Sequence, residues 1–252
     1  MKRGICGALA IALLLISVSP KLNLESVEAQ SPSITSISPS RTVVSVGQVF
    51  EVNIMIEELN AACEMVGYAF EIYYYFIFEE EILELLDIQQ GPFMKQFVTL
   101  PNTSENGTVF EVSFVDVFIT PYILIQCTLL PNQAGNWTVF PEGSGVAAVM
   151  TMKAKTIGHF LFCFHDSVMI DRNMEEILHS RKYGYVEVRE PLPGDLNLDS
   201  MVDMQDLGVA GSAFGSYPSH PRWNPIADIN KDNTVDMRDI ALIARNFGET
   251  YH

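Results

Sequence analysis

The chain has 252 residues, 48% of them hydrophobic, and carries 31 acids against 15 Lys and Arg for a formal charge of −16. That much apolar material supports one full core and a smaller second unit. The acidity argues against nucleic acid and anionic membrane surfaces as partners, because both recruit Lys and Arg.

The first predicted element is an export signal over residues 1–29. Lys2 and Arg3 precede the apolar run Ile5 to Val18, and Val27-Glu28-Ala29 offers a small-residue cleavage site before Gln30. An uncleaved anchor is the alternative, although the run is short for a span. No second long apolar stretch follows, so no further membrane span is expected, and the chain is predicted to be secreted, in solution or at a cell surface. Cys6 lies in the signal, leaving Cys63, Cys127 and Cys163. An odd number without CxxC spacing is neither a disulfide framework nor a zinc site. One bridge between Cys63 and Cys127 is compatible with the count but not fixed by it. Asn102, Asn106 and Asn136 sit in Asn-x-Ser/Thr triplets that suit an exported chain.

"QSPSITSISPSRT", rich in Ser and Pro, reads as a lead-in rather than packed structure. From there to residue 189 the period is two. In "VFEVNIMI" Phe50, Val52, Ile54 and Ile56 share one face. In "GVAAVMTMKAK" Val146, Ala148, Met150, Met152 and Ala154 oppose Thr151, Lys153 and Lys155. Segments 67–76, 108–118, 157–165 and 183–189 are rich in aromatic and β-branched residues, and turn signals such as Asn106-Gly107 and Gly135-Asn136 separate them. "FEEEILELLD" reads either as a helical turn or as a strand with an acidic edge. The pattern predicts a mainly β domain over 30–189, an antiparallel sandwich. Two prolines in Glu190-Pro191-Leu192-Pro193 stop the last strand and stiffen a linker over 190–193.

Beyond the linker, residues 194–252 contain a repeat. "DLNLDSMVDMQDLGVAGSAFG" from Asp195 aligns with "DINKDNTVDMRDIALIARNFG" from Asp228 at a period of 33, with nine of 21 positions identical. Asp-x-Asn-x-Asp followed by an acid eleven residues after the first Asp is the spacing of an EF-hand calcium loop, in which alternating side chains turn oxygens onto one centre. The expected ligands are the side chains of Asp195, Asn197, Asp199 and Asp206 with the Met201 carbonyl, and Asp203 directly or through water. The second loop supplies Asp228, Asn230, Asp232, Asp239, the Thr234 carbonyl and Asp236 in the same roles. Two Ca²⁺ ions are therefore expected. The sharp turn usually filled by Gly holds Ser200 and Asn233; Asn tolerates the left-handed region better, which predicts a weaker first loop.

Two loop-plus-helix units without an entering helix resemble a type I dockerin, the module that binds cohesin modules in cellulosome-type assemblies. The resemblance implies that the residue pairs before the last ligand, Met204-Gln205 and Met237-Arg238, help select the partner, and that docking occurs in two quasi-symmetric orientations. The segments "GQVFEVNIMI", "GYAFEIYYYF" and "GSGVAAVMTMKAK" are similar to cohesin modules, which implies a jelly-roll-like sandwich. Tyr75-Phe76-Ile77-Phe78 stands where cohesins carry a Tyr-Asp-Pro turn. No GxSxG, HExxH or phosphate loop occurs. His159, His165 and His179 are scattered, and Asp116 alone among the acids of the β domain sits inward on an apolar strand, so no catalytic pair is expected. The sequence thus describes a non-catalytic adaptor whose partners are cohesin-type or dockerin-type modules. The alternative is a polysaccharide-binding sandwich tethered by the dockerin, for which Tyr73, Tyr75 and Trp137 would form the aromatic row.

Overall fold

Alternation of apolar and polar side chains builds the longest strands of this computed structural model, which describes residues 33–73, 82–95, 107–115, 122–131, 135–137 and 139–251. Strand β3 (Val49–Leu59) buries Phe50, Val52, Ile54 and Ile56, and β8 (Gly143–Ala154) buries Ala148, Met150, Met152 and Ala154 against them. The predicted face of β3 is the buried one, and that of β8 is buried except at Val146, which is half-buried. The other strands are β1 (Ser33–Pro39), β2 (Val43–Ser45), β4 (Met65–Tyr73), β5 (Leu83–Gln90), β6 (Thr108–Val115), β7 (Tyr122–Leu129), β9 (Gly158–Phe162), β10 (Phe164–Asp171), β11 (His179–Lys182) and β12 (Gly184–Arg189). They pair as a five-stranded sheet β11-β1-β3-β8-β5, a four-stranded sheet β10-β4-β7-β6 and a three-stranded sheet β2-β12-β9. The two larger sheets share one core and are pinned across it by the Tyr68 hydroxyl donating to the Ala147 carbonyl at 2.8 Å. After β5 the short helix α1 (Pro92–Lys95) packs on β8 and buries Phe93 and Met94. Gly91 and Gly145 let it do so: a Cβ at Gly91 would lie 2.1 Å from the Val146 carbonyl oxygen, and one at Gly145 would lie 2.6 Å from the Phe93 ring.

Two expectations need correcting. The sandwich is mixed rather than purely antiparallel, because β1 pairs with β11 and β2 with β12 in parallel. Alternation reports which face a strand buries, not the direction of its neighbour. The Ser-rich lead-in is strand β1, hydrogen-bonded between β11 and β3. Its small polar side chains are buried but satisfied: Thr35 donates to the Ser180 carbonyl at 3.4 Å, and Ser36 donates to Glu57. The ambiguous stretch "FEEEILELLD" enters β5 at Leu83; Glu79, Glu80 and Glu81 lie outside the described residues. So do the export signal, Tyr75-Phe76-Ile77-Phe78, Asn102, Asn106 and Asp116. No helix among the described residues is long and apolar enough to cross a membrane.

After the linker come two helices, α2 (Met204–Ala213) and α3 (Met237–Arg245). Each begins with a capping box, Asp203 with Asp206 and Asp236 with Asp239, which satisfies the first free amides of the helix. Their apolar faces meet in a second, small core of Leu196, Val202, Ala210, Ala213, Ala227, Val235 and Ile243, with Trp223 packed against it. The connector between the repeats closes helix α2: Arg222 donates to the Ser212 and Phe214 carbonyls at 3.4 and 3.1 Å. The two repeats are interlocked. Val235 of the second loop exchanges backbone bonds with Gly215 and Ser216 beyond α2, and Val202 of the first loop does the same with Gly248 and Glu249 beyond α3. Each loop is thus pinned by the end of the other repeat. The described residues from Ser33 to Tyr251 form one compact unit, so the linker is no free spacer. Glu190 accepts from the Tyr251 hydroxyl, and Pro193 accepts from Asn246 at 2.6 Å.

Candidate metal centre

The two acidic loops fold alike down to single hydrogen bonds. Asp206 accepts from the amides of Leu196, Asn197 and Asp203 at 2.7, 3.2 and 2.8 Å. Asp239 accepts from those of Ile229, Asn230 and Asp236 at 2.9, 3.2 and 2.9 Å. Asp195 takes the Asp199 and Ser200 amides at 3.1 and 2.9 Å, and Asp228 takes those of Asp232 and Asn233 at the same two distances. Asn197 and Asn230 accept from the amides of Asp199 and Asp232 at 3.0 and 2.8 Å. Asp199 and Asp232 in turn accept from the Met201 and Thr234 amides at 3.0 Å each. Asp203 and Asp236 serve as N-caps, each accepting from the amide two residues on at 2.7 Å. The sharp turn falls where the sequence put it: Ser200 and Asn233 have φ of 70° and 66°. Leu198 and Lys231 are left-handed as well, at 58° each, a feature with no signal in the residue types.

Among the described residues no group of three or more His, Cys, Asp or Glu side chains is arranged to hold a metal ion as it stands. The carboxylates are turned onto their own loop amides instead. The donor set nonetheless fits a hard cation, being all oxygen. Asp195, Asp206, Asp228 and Asp239 are 3%, 0%, 7% and 0% exposed. Among the described residues, the ion pair within these loops joins Arg238 to Asp232 at 3.0 Å, which leaves those four buried acids without one. Burial pushes the Asp195 carboxyl up to about 6; its amide bonds to Ser200 and Asp199 oppose the push, and the charges of Asp206 and Asp199 add to it. A bound divalent cation would remove that repulsion. The resemblance-derived pairs stand on the first turns of the two helices with Met204 68% and Met237 65% exposed, and Gln205 and Arg238 exposed beside them.

The remaining candidates of the sequence are held by structural bonds. His159 pairs with the Tyr185 hydroxyl at 2.5 Å, and His165 with Glu71 at 2.7 Å. His179 bridges the Ser167 hydroxyl at 2.7 Å and the Ile177 carbonyl at 2.8 Å. Cys63, Cys127 and Cys163 are free thiols, so the Cys63–Cys127 bridge is absent; burial pushes the Cys127 thiol up to about 11. Trp137 packs on the sandwich core and donates its indole N–H to the Leu129 carbonyl at 2.8 Å. Tyr73 meets the His165 ring edge-on at 4.9 Å. Neither stands free in an open aromatic row.

No protein-family model matches the chain, and a comparison with curated proteins found no match. Solved cohesins are similar to its sandwich. A chain of a type I cohesin–dockerin complex from Clostridium thermocellum is 18% identical, with 66% of this chain and 99% of that one covered at a TM-score of 0.46. A cohesin module from a family 33 glycoside hydrolase of Clostridium perfringens is 16% identical over 63% and 96% of the two chains, with a TM-score of 0.45. A non-cellulosomal cohesin from Archaeoglobus fulgidus is 11% identical over 64% and 93%, at 0.43. Likenesses of this size leave function to be argued from the chain's own residues.

Proposed function

We propose that this is an exported, non-catalytic adaptor that joins a calcium-dependent, dockerin-like unit to a cohesin-like, jelly-roll sandwich in one chain, for protein–protein assembly in polysaccharide-degrading or cell-surface complexes. The observation that carries the reading is the bond-for-bond repetition of two loop-and-helix units that hold four buried carboxylates with no ion pair among the described residues. Two Ca²⁺ ions would be held by Asp195, Asn197, Asp199, Asp203, Asp206 and the Met201 carbonyl, and by Asp228, Asn230, Asp232, Asp236, Asp239 and the Thr234 carbonyl. When bound, the ions supply the positive charge that lets the loops close. The chain's own residues then present the partner face: the capped helices hold Met204-Gln205 and Met237-Arg238 outward as apolar anchors with polar neighbours, the composition of an interface core and its rim.

The test offers the immobilised full chain a panel of type I cohesin modules in millimolar calcium and in excess chelator. Binding that chelator abolishes, and that Met204→Ala with Met237→Ala weakens, supports the reading. Binding to none of them in calcium overturns the adaptor assignment. A calorimetric titration without calcium uptake overturns the metal assignment separately.

A further inference from the structure

The two loops are twins internally but have different surroundings. Loop 2 stands open, with Lys231, Asp232, Asn233 and Thr234 all exposed. Loop 1 is seated on the sandwich at the turn between β2 and β3. The Ser200 hydroxyl donates to Gln48 Oε1 at 3.3 Å, and the same oxygen accepts from the Ser45 amide at 2.9 Å, so the acceptor is fixed by its own turn. Gln48 and Ser200 are both buried. Leu198 covers Gly47, where a Cβ would lie 3.2 Å from the leucine Cδ1; the glycine also needs its φ of 92°. From the other side Arg41 donates to the Asp199 carbonyl. The C-terminal end closes the contact: Tyr251 donates its amide to the Ser200 carbonyl at 3.2 Å, and its ring lies under the Arg189 guanidinium, 5.2 Å from the ring centre.

We infer that the β2–β3 turn, through Gln48 and Arg41, is a built-in positioning element for the first metal loop, so that the two loops bind Ca²⁺ unequally and the first is the tighter and slower to release. This rests on the calcium reading above and reverses the order the sequence suggested. Ser200 costs the first loop some strain in its left-handed conformation, but the bond to Gln48 holds that conformation before any ion arrives, and a pre-ordered loop loses less entropy on binding. Among the described residues loop 2 has no such support, and its Asp232 must leave Arg238 to reach an ion. The charges agree in direction: among the described residues Arg41 is the cationic side chain that contacts loop 1, whereas loop 2 contains Lys231 and pairs with Arg238. Gln48 and Arg41 donate nothing to the ion, so theirs is a positioning role.

The experiment uses the full chain with one loop weakened at a time. Asp232→Ala leaves loop 1 and Asp199→Ala leaves loop 2, and calorimetry measures the remaining calcium affinity. The loop 1 chain should bind about ten-fold more tightly. Adding Gln48→Ala should weaken it about five-fold, as expected of one net hydrogen bond, and leave the loop 2 chain unchanged. Arg41→Ala, on an exposed side chain, repeats the test should Gln48→Ala disturb the turn. Amide exchange in the wild-type chain gives a second readout: residues 199–202 should exchange more slowly than 232–235, and Gln48→Ala should erase the difference. Equal affinities, or a Gln48 effect shared by both loops, overturns this inference and leaves the calcium reading standing. Absence of calcium uptake in both single-loop chains overturns the two together.

Discussion

The sandwich and the C-terminal unit are ordered by different forces. The sandwich encloses a core in which Phe70, Ile54, Ile56, Met65, Ile125, Leu129 and Met150 are all within 1% of full burial. The C-terminal unit buries seven apolar side chains, three of them alanine. Its remaining order comes from carboxylates folded onto amides, a pattern that concentrates negative charge where water is scarce. Burial of a large apolar side chain contributes about 1.5–3 kcal/mol, whereas an unpaired buried carboxylate costs free energy until something neutralises it. One region is held by its apolar core, and the other by hydrogen bonds that leave its buried carboxylates without an ion pair among the described residues.

Chelation is the strongest way to break that comparison. In excess chelator, residues 195–251 should lose amide protection and Trp223 should become solvent-exposed, while β3, β4 and β8 stay protected. Alkylation at pH 8 provides an independent check, because Cys127 is buried with its thiol pushed up to about 11 and should stay unreactive in chelator. If Cys127 reacts when calcium is removed, the two regions unfold together and the contrast fails.

A core truncation and a loop truncation should separate the regions in the opposite sense. Phe70→Ala, at a fully buried ring stacked on Tyr68 at 4.5 Å, should destabilise the sandwich by about 3–5 kcal/mol and lower the calcium-independent melting step alone. Asp239→Ala removes the acceptor of three amides and one half of a capping box, and should cost about 2–3 kcal/mol in the calcium-dependent step. A shift of both steps by either variant would mean that the Gln48–Ser200 contact makes one cooperative unit of the whole chain.

What the sequence made legible follows the same division. The faces of β3 and β8 could be read because period-two alternation is the direct imprint of a half-buried strand. The acidic loops could be read because their spacing is local: the bonds that their carboxylates accept from loop amides join residues at most ten apart. Strand β1 was not legible, since its buried Ser33, Thr35 and Ser36 are polar and are satisfied by strands far along the chain. The seat of loop 1 was invisible for the same reason. Gln48 and Ser200 are 152 positions apart, and neither residue type announces the other. Helix α2 carries Gly208 and Gly211, each costing about 1 kcal/mol relative to alanine, and it forms because Asp203 and Asp206 cap it and α3 packs on it.

The smallest expected effect on stability is the most informative about the partner. Met204 and Met237 occupy equivalent positions of the repeat and are almost equally exposed, so truncating either to alanine removes little buried area and should change stability by no more than about 0.5 kcal/mol. Calcium affinity should be unchanged too, since neither side chain enters its loop. If partner recognition uses the two helices in interchangeable orientations, each single substitution should weaken cohesin binding by at most about two-fold, because the intact helix still supports one orientation. The double substitution should then cost far more than the product of the singles. The seating of loop 1 on the sandwich adds an asymmetry to this symmetric expectation. With Asp199 and Ser200 held against Arg41 and Gln48, a partner approaching from the loop 1 side meets the sandwich, whereas loop 2 is open. Unequal single-variant losses, measured with the same cohesin in saturating calcium, would show that the chain's own β domain has selected one of the two orientations. Equal losses would show that the seat acts on the ion alone.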